Sequence, residues 1–309
     1  MVICMSVFLL DPCFKDYIWG GTNLRGIFGK NTPTEKTAES WELSCHPDGA
    51  SLIRNGKYAG KPLSYVIETE GKEILGKNCE RFDRFPIIVK LLDAEKDLSI
   101  QVHPSDKAAS SEGDWGKTEM WYIIAAEPGA KIINGVAKDI GKDDFKSAIV
   151  SGRTDGVFNE IPVHAGECYF IPSGRAHAIG KGILLAEIQQ NSNLTYRLYD
   201  YNRRDKDGNL RRLDVEKGIA ASDLSFREIS SSGFPLSCGY FAVDKVRFVP
   251  GVYPARPDSF VSLTVMEGSG EIDGVPVTAG DTVFIGATDG AVPVSGDFTA
   301  LKTHIPPET

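Results

Sequence analysis

The sequence predicts a mainly β protein folded as two sandwich-like units with a few helices. Three observations carry that expectation: short apolar runs punctuated by Gly, Pro and Asp, few stretches of helical periodicity, and an echo between the two halves of the chain. The elements follow in order. "MVICMSVFLLDP" is apolar but short, with no basic leader and no small-residue cleavage site, and reads as a strand. "PLSYVIETEGKEILG" (62–76) has helical periodicity. "FPIIVKLLDA" and "DLSIQVHPSD" are strands, "PSDKAASSEG" holds a short helical turn, and "EMWYIIAAEPG" and "AKIINGV" are strands again. "KDDFKSAIVSG" (142–152) is a second helix, followed by strands in "ECYFIPSG", "GILLAEIQQ" and "LTYRLYDY". Residues 221–236, rich in Ser and charge, read as a connector. Strands resume in "YFAVDKVRFV", "FVSLTVMEGSGEIDG", "VPVTAGDTVFIGA" and "FTALKTH". The expected organisation is a first unit over 1–220, the connector at 221–236, and a second unit over 237–309.

The echo relates the units. "VHAGECYFI" (163–171) matches "VTAGDTVFI" (277–285) at an offset of about 114, and "IINGV" (132–136) matches "EIDGV" (271–275) at an offset of about 139. The difference of about 25 residues is the size of a helical insertion after Val136.

Composition narrows the function. With 309 residues, 41% hydrophobic and 25% charged, the chain is an ordinary globular protein with room for a large core. The net charge of −8, with no Lys/Arg block, gives no nucleic-acid footprint. No apolar run approaches the ~20 residues of a membrane span. Six scattered cysteines without a CxxC pair suit a reduced, cytoplasmic protein.

Chemistry gathers in two stretches. In "LSIQVHP", Gln101 and His103 alternate and so share a strand face. "AGECYFIPSGRAHAI" spaces Gly166, Pro172, Gly174 and His177 as in the second motif of the cupin superfamily, where a turn, a strand and another turn bring a histidine into the mouth of a jelly roll. With Glu119 opening the strand "EMWYII", these residues offer two imidazoles, a carboxylate and an amide oxygen, a donor set for a divalent metal with an open coordination position. His46, His164 and His304 have no such partner spacing.

"LSIQVHP", "GKTEMWYII", "FIPSGRAHAI" and "NSNLTYRLYDYNR", preceded by "FKDYIWGG" and "AESWELS", together resemble the type I mannose-6-phosphate isomerases in their short bacterial form. The resemblance runs from about Phe14 to Asn202 and more faintly beyond. It implies two cupin-type jelly-roll units, the first metal-binding and the second degenerate, and an aldose–ketose isomerase acting on mannose 6-phosphate and fructose 6-phosphate through an enediol(ate). It implies one Zn2+ per chain on Gln101, His103, Glu119 and His177, catalytic roles for Lys117 and Arg197, and phosphate contacts from Ser99 and Lys90. The partner is a small sugar phosphate, and oligomeric state is left open. So is the proton carrier, with Lys117, Asp200, Glu42, Glu187 and a metal-bound hydroxide as candidates. Longer relatives carry a helical insertion for which 309 residues leave no room. Two other readings fit the same ligands: an iron-dependent cupin oxygenase and a non-catalytic sugar-phosphate sensor. Trp19, Trp41 and Tyr17 are expected in the core. Aligned through the echo, Gly286 and Ala291 replace Pro172 and His177, Tyr240 and Ala242 replace Gln101 and His103, and Asp258 stands near the place of Glu119.

Overall fold

The computed structural model describes residues 7–205 and 207–308, so the first six residues of the N-terminal run lie outside the described residues. Alternating side chains build the first unit as two sheets. One has six strands, in the order Cys168–Ile171, Glu119–Ala126, Ile183–Gln190, Ile87–Ala94, Glu39–Leu43 and Cys13–Lys15. The other has five, in the order Phe158–Pro162, Lys131–Val136, His177–Ile179, Ile100–Val102 and Tyr196–Tyr199. Leu92, Trp121, Ile123 and Leu185 of the larger sheet pack with Ile132 and Ile179 of the smaller, which makes the jelly-roll core.

The six-stranded sheet is buried on both faces, and its two central strands, Ile87–Ala94 and Ile183–Gln190, are buried at every residue. Their other face, with Val89, Leu91, Ala186 and Ile188, packs with Phe241, Phe260, Phe284 and Leu301 of the C-terminal unit. Near-continuous apolar runs are what such a doubly covered sheet requires. The C-terminal unit is a nine-stranded sheet around the long strands Val261–Ile272 and Val292–His304. Its Thr282–Ile285 strand pairs with Val7–Asp11, with Val7 opposite Ile285. On its other side the same strand pairs with Leu52–Ile53, with Leu10 opposite Ile53, so it bridges the C-terminal strands to a strand nearby in sequence.

The echo has a structural counterpart. Cys168–Ile171 and Thr282–Ile285 are both strands entered through a left-handed glycine, Gly166 at φ 94° and Gly280 at φ 91°. Asp273 and Gly274, both with positive φ, turn a tight hairpin in the second unit. In the first unit the matching strands, Lys131–Val136 and Phe158–Pro162, are joined through the helix Lys142–Ser151. Ile171 lies opposite Glu119 and Ile285 opposite Val261. The residue in Glu119's place is thus Val261, not Asp258, because the ladder register decides the match.

The expected 62–76 helix is helical over Leu63–Glu70, stops at Gly71 and resumes as a 3-10 turn over Lys72–Leu75. Two short helices, Asn23–Phe28 and Val215–Ala221, were not expected. Six or seven residues carry too few helical turns to show periodicity.

Candidate metal centre

Strand register brings the site residues together. On the five-stranded sheet, Gln101 lies directly opposite His177 on one neighbouring strand and Arg197 on the other. His103 follows at the end of the Gln101 strand. On the facing sheet, Glu187 lies opposite Lys90 and Trp121, and Glu119 opposite Gln189. A period of two turns Lys90, Glu119 and Glu187 to the face that looks at Gln101 and His177.

The ligating atoms of His103, Glu119 and His177 lie within 4.8 Å of one another, all buried. His103 Nε2 is 3.5 Å from Glu119 Oε2, and His177 Nε2 is 3.5 Å from Glu119 Oε1. His103 Nδ1 is 2.9 Å from the Leu194 carbonyl and His177 Nδ1 is 2.8 Å from that of Arg175. A carbonyl only accepts, so each Nδ1 carries the proton and each Nε2 presents its lone pair to the centre. Burial holds both imidazoles neutral, with His103 well below the usual range and His177 pushed down to about 4. The Gln101 amide nitrogen lies 3.4 Å from His177 Nε2, while its oxygen accepts from Ser99 Oγ at 3.5 Å, so the oxygen expected as a ligand faces the metal centre only if the amide is turned over.

Two features show that this donor set fits a cation. Glu119 Oε1 is fully buried with no hydrogen-bond partner, an arrangement that costs free energy unless a positive group faces it. The Lys117 ammonium bonds Glu119 Oε2 and lies 3.0 Å from His103 Nε2, so a positive charge already stands against two of the three ligands. Two imidazoles and one carboxylate suit a divalent ion that keeps a position open.

Around the centre runs a chain of charges. Lys117 Nζ lies 3.6 Å from Glu187 Oε1, and Lys90 Nζ lies 3.4 Å from the same oxygen and 3.6 Å from Glu39 Oε2. Trp121 Nε1 donates to Glu187 Oε2 at 3.0 Å. Burial would lift Glu187, but Lys117 and Lys90 outweigh it and hold the carboxyl down. Glu119 moves up, from burial and then repulsion by Glu187. Burial alone would lower Lys90, yet Glu39 and Glu187 raise it overall.

A cleft of about 360 Å³ opens from this chain, lined among others by Lys90, Ser99, Gln101, Lys117, Glu187 and Arg197. Arg197 Nε donates to Ser99 Oγ at 3.2 Å. Of the residues considered for the proton, Lys117 and Glu187 line the cleft. Asp200 is taken up by Arg203 and Arg211, and Glu42 bonds Lys30 at 2.7 Å on the side facing the C-terminal unit.

Of the three aromatics expected in the core, Trp41 is fully buried beneath Lys90 and Trp19 is buried with one edge on the cleft, but Tyr17 is exposed at the cleft instead. Arg211 also lines it, from a charge-rich stretch, "RRDKDGNLRR", that resembles any solvated turn. Asn134, opposite His177 in the ladder, is fully buried with neither amide atom bonded. His46 and His304 are separate from the ligands, and the His164 side chain is exposed.

Comparison with known proteins gives a consistent result. The family model for the phosphomannose isomerase type I catalytic domain matches residues 7–114. A mannose-6-phosphate isomerase of Bacillus subtilis is 36% identical, over 95% of this chain and 97% of the relative. One from Streptococcus mutans is 36% identical, over 93% and 94%. The crystal structure of mannose 6-phosphate isomerase from Bacillus subtilis superposes with a TM-score of 0.89 at 37% identity, covering 97% of this chain and all of that one.

Proposed function

The chain belongs to the type I phosphomannose isomerase family, and from that footing we propose that it interconverts mannose 6-phosphate and fructose 6-phosphate using one zinc ion per chain. The observation that carries the reading is the orphaned, buried Glu119 Oε1, 3.5 Å from the neutral His177 imidazole with His103 against the other carboxylate oxygen, behind Lys117 in the wall of a cleft that Arg197 and Arg211 also line. Aldose–ketose interconversion moves a proton between C1 and C2 through an enediol(ate), so the site must hold two neighbouring oxygens and move one proton. His103, Glu119, His177 and Gln101 would hold the ion. When bound, a divalent ion polarises the carbonyl and offsets the charge that develops on the oxygens.

The chain's own residues do the rest. Lys117 is the proposed proton carrier, since its ammonium lies at the cleft wall between Glu119 and Glu187 and is already hydrogen-bonded toward the reacting end. Glu187 fixes that charge. Arg197, which stays protonated, supplies a permanent positive charge beside the substrate oxygens. Ser99, which accepts from Arg197, and Arg211, both on the wall of the same cleft, are the proposed phosphate contacts. Lys90 was expected at the phosphate, but its ammonium is engaged by Glu39 and Glu187, and we assign it to setting the charge of that wall. Trp19 and Tyr17, 5.9 Å apart, form an apolar side against which a sugar ring can lie.

Zinc is favoured among divalent ions by the mixed nitrogen and oxygen donors. The cytoplasm is the proposed location, since the five described cysteines are free and no described helix is long and apolar enough to cross a membrane. An oxygenase would need a redox-active metal and no arginine-lined phosphate end, and a sensor would not need Lys117 placed at the ligands. The test is turnover. Mannose 6-phosphate should be converted and unphosphorylated mannose should not, with conversion lost in Lys117→Ala. A folded, metal-loaded protein that converts neither sugar would contradict the proposal and favour the sensor.

A further inference from the structure

The segment from His103 to Lys117 leaves the five-stranded sheet with one site residue and enters the six-stranded sheet with another. Its neck is narrow. Lys117 N donates to the Pro104 carbonyl at 3.2 Å, and a Cβ on Gly116 would stand 2.5 Å from Asp106 N. One carboxylate gathers the surrounding donors. Asp106 Oδ1 accepts from Gly116 N at 2.7 Å and from Gln190 Nε2 at 2.9 Å, and Asp106 Oδ2 accepts from the Tyr240 hydroxyl at 2.6 Å. Gln190 in turn accepts from Thr118 N at 2.8 Å, on the residue between Lys117 and Glu119.

Tyr240 is not part of the first unit. It sits in the hairpin between Leu236–Ser237 and Ala242–Phe248, which pair within the nine-stranded C-terminal sheet. We infer that Tyr240 and Asp106 are positioning residues for the metal centre, through which the metal-free C-terminal unit sets the spacing of His103, Lys117 and Glu119. The geometry is a relay of one hydroxyl, one carboxylate and one amide, ending on the backbone of the strand that carries the ligand. A carboxylate with three donors holds the neck in one place, and partners outside the ligand set commonly govern how well a metal is held. The cost of removing one donor falls on alignment at the centre, not on burial, because Asp106 is exposed and Tyr240→Phe keeps the ring that packs against the core.

The inference rests on the metal-isomerase reading for its activity readout and stands apart from it in two others. The experiment compares the full-length wild type with Tyr240→Phe, Asp106→Asn and Asp106→Ala. It measures zinc loss to a competing chelator, backbone amide exchange at Thr118 in the metal-free protein, and mannose 6-phosphate turnover. Tyr240→Phe, which removes only the hydroxyl, should lose zinc and exchange Thr118 about tenfold faster. Its kcat should fall with KM nearly unchanged, and its melting temperature should stay close to wild type. Asp106→Asn keeps Oδ1 and should fall between wild type and Asp106→Ala. If Asp106→Ala fails to fold, Tyr240→Phe alone decides. Zinc loss and Thr118 exchange at wild-type rates in Tyr240→Phe would overturn the inference, whatever its melting temperature. Faster zinc loss and exchange in a protein with no turnover of any variant would support the relay while removing the proposed reaction.

Discussion

His103 and His177 each donate a Nδ1 proton to a backbone carbonyl, and that detail fixes what their Nε2 atoms can do. A tautomer locked in this way presents two lone pairs to one point, beside a carboxylate oxygen with nothing else to bond. Removing one of the three leaves the others intact but the cation under-held. His103→Ala should purify with almost no metal where the wild type carries one ion per chain, with turnover reduced at least ~100-fold. Elemental analysis of the dialysed protein checks this, and full occupancy in the variant would refute the assigned ligand. Lys117 raises a second point. Its ammonium touches both Glu119 and His103, so Lys117→Ala should lower kcat far more than it raises KM if the lysine acts on the reacting atoms. Steady-state kinetics decide, and an effect confined to KM would leave it a binding group only.

Strands and turns determine whether those residues meet. The echoed glycines allow a paired comparison. Gly166 and Gly280 share the left-handed conformation, but a Cβ on Gly166 meets open space, while one on Gly280 would stand 2.7 Å from Phe28 Cβ. Gly166→Ala should cost about 1 kcal/mol of backbone strain, and Gly280→Ala about 3 kcal/mol or more, since the clash adds to the strain. Urea unfolding measures both, and equal costs would contradict the packing at Phe28. The last strand adds a pH effect. Burial, and then Arg256 and Lys302, push His304 from its usual 6.5 down to about 4, with Arg256 donating to its Nε2 at 2.7 Å. The unfolded chain therefore takes up this proton first as pH falls. The stability that depends on neutral His304 is complete above about pH 6.5 and declines from there toward pH 4. His304→Gln should flatten that part of the melting curve against pH, and an unchanged slope would place the titration elsewhere. At this scale the sequence was readable where signals were local. Gln101 and His103 alternate on one strand, His177 follows its glycine and proline punctuation, and the helix after Val136 showed as a gap between offsets. Arg211 is not readable, because a charged turn looks the same whether or not a cleft lies beside it, and Tyr17, expected in the core, is exposed beside the cleft.

Over the whole molecule, the central six-stranded sheet serves two neighbours. Its inner face carries Lys90, Glu119 and Glu187 to the site, and its outer face is closed by the C-terminal unit. The pairing of Val7–Asp11 with Thr282–Ile285 joins the first described strand to the C-terminal unit. Nothing local encodes a ladder between residues so far apart, whereas the pairing of the same strand with Leu52–Ile53 lies within the first part of the chain. Between the units lies a buried charge pair. Lys30 Nζ is 2.7 Å from Glu42 Oε1, Ser40 donates to the same oxygen at 2.6 Å, and Thr282 of the C-terminal sheet donates to the other at 3.3 Å. Glu42→Ala would leave the Lys30 ammonium with the Gly280 carbonyl at 2.7 Å but no counter-charge, and should cost about 3 kcal/mol in denaturant unfolding with the metal still bound under native conditions. A loss under ~1 kcal/mol would mean that the pair does not hold the units together. The first unit is proposed to hold a metal and to use it for isomerisation. That proposal is tested most directly by following mannose 6-phosphate turnover in one preparation before chelation, after chelation and after zinc is returned, with metal content measured at each stage. The predicted result is turnover lost with the metal and restored as zinc returns to one ion per chain. Turnover that persists after the metal is gone, or that stays absent in a folded, zinc-loaded protein, would contradict it.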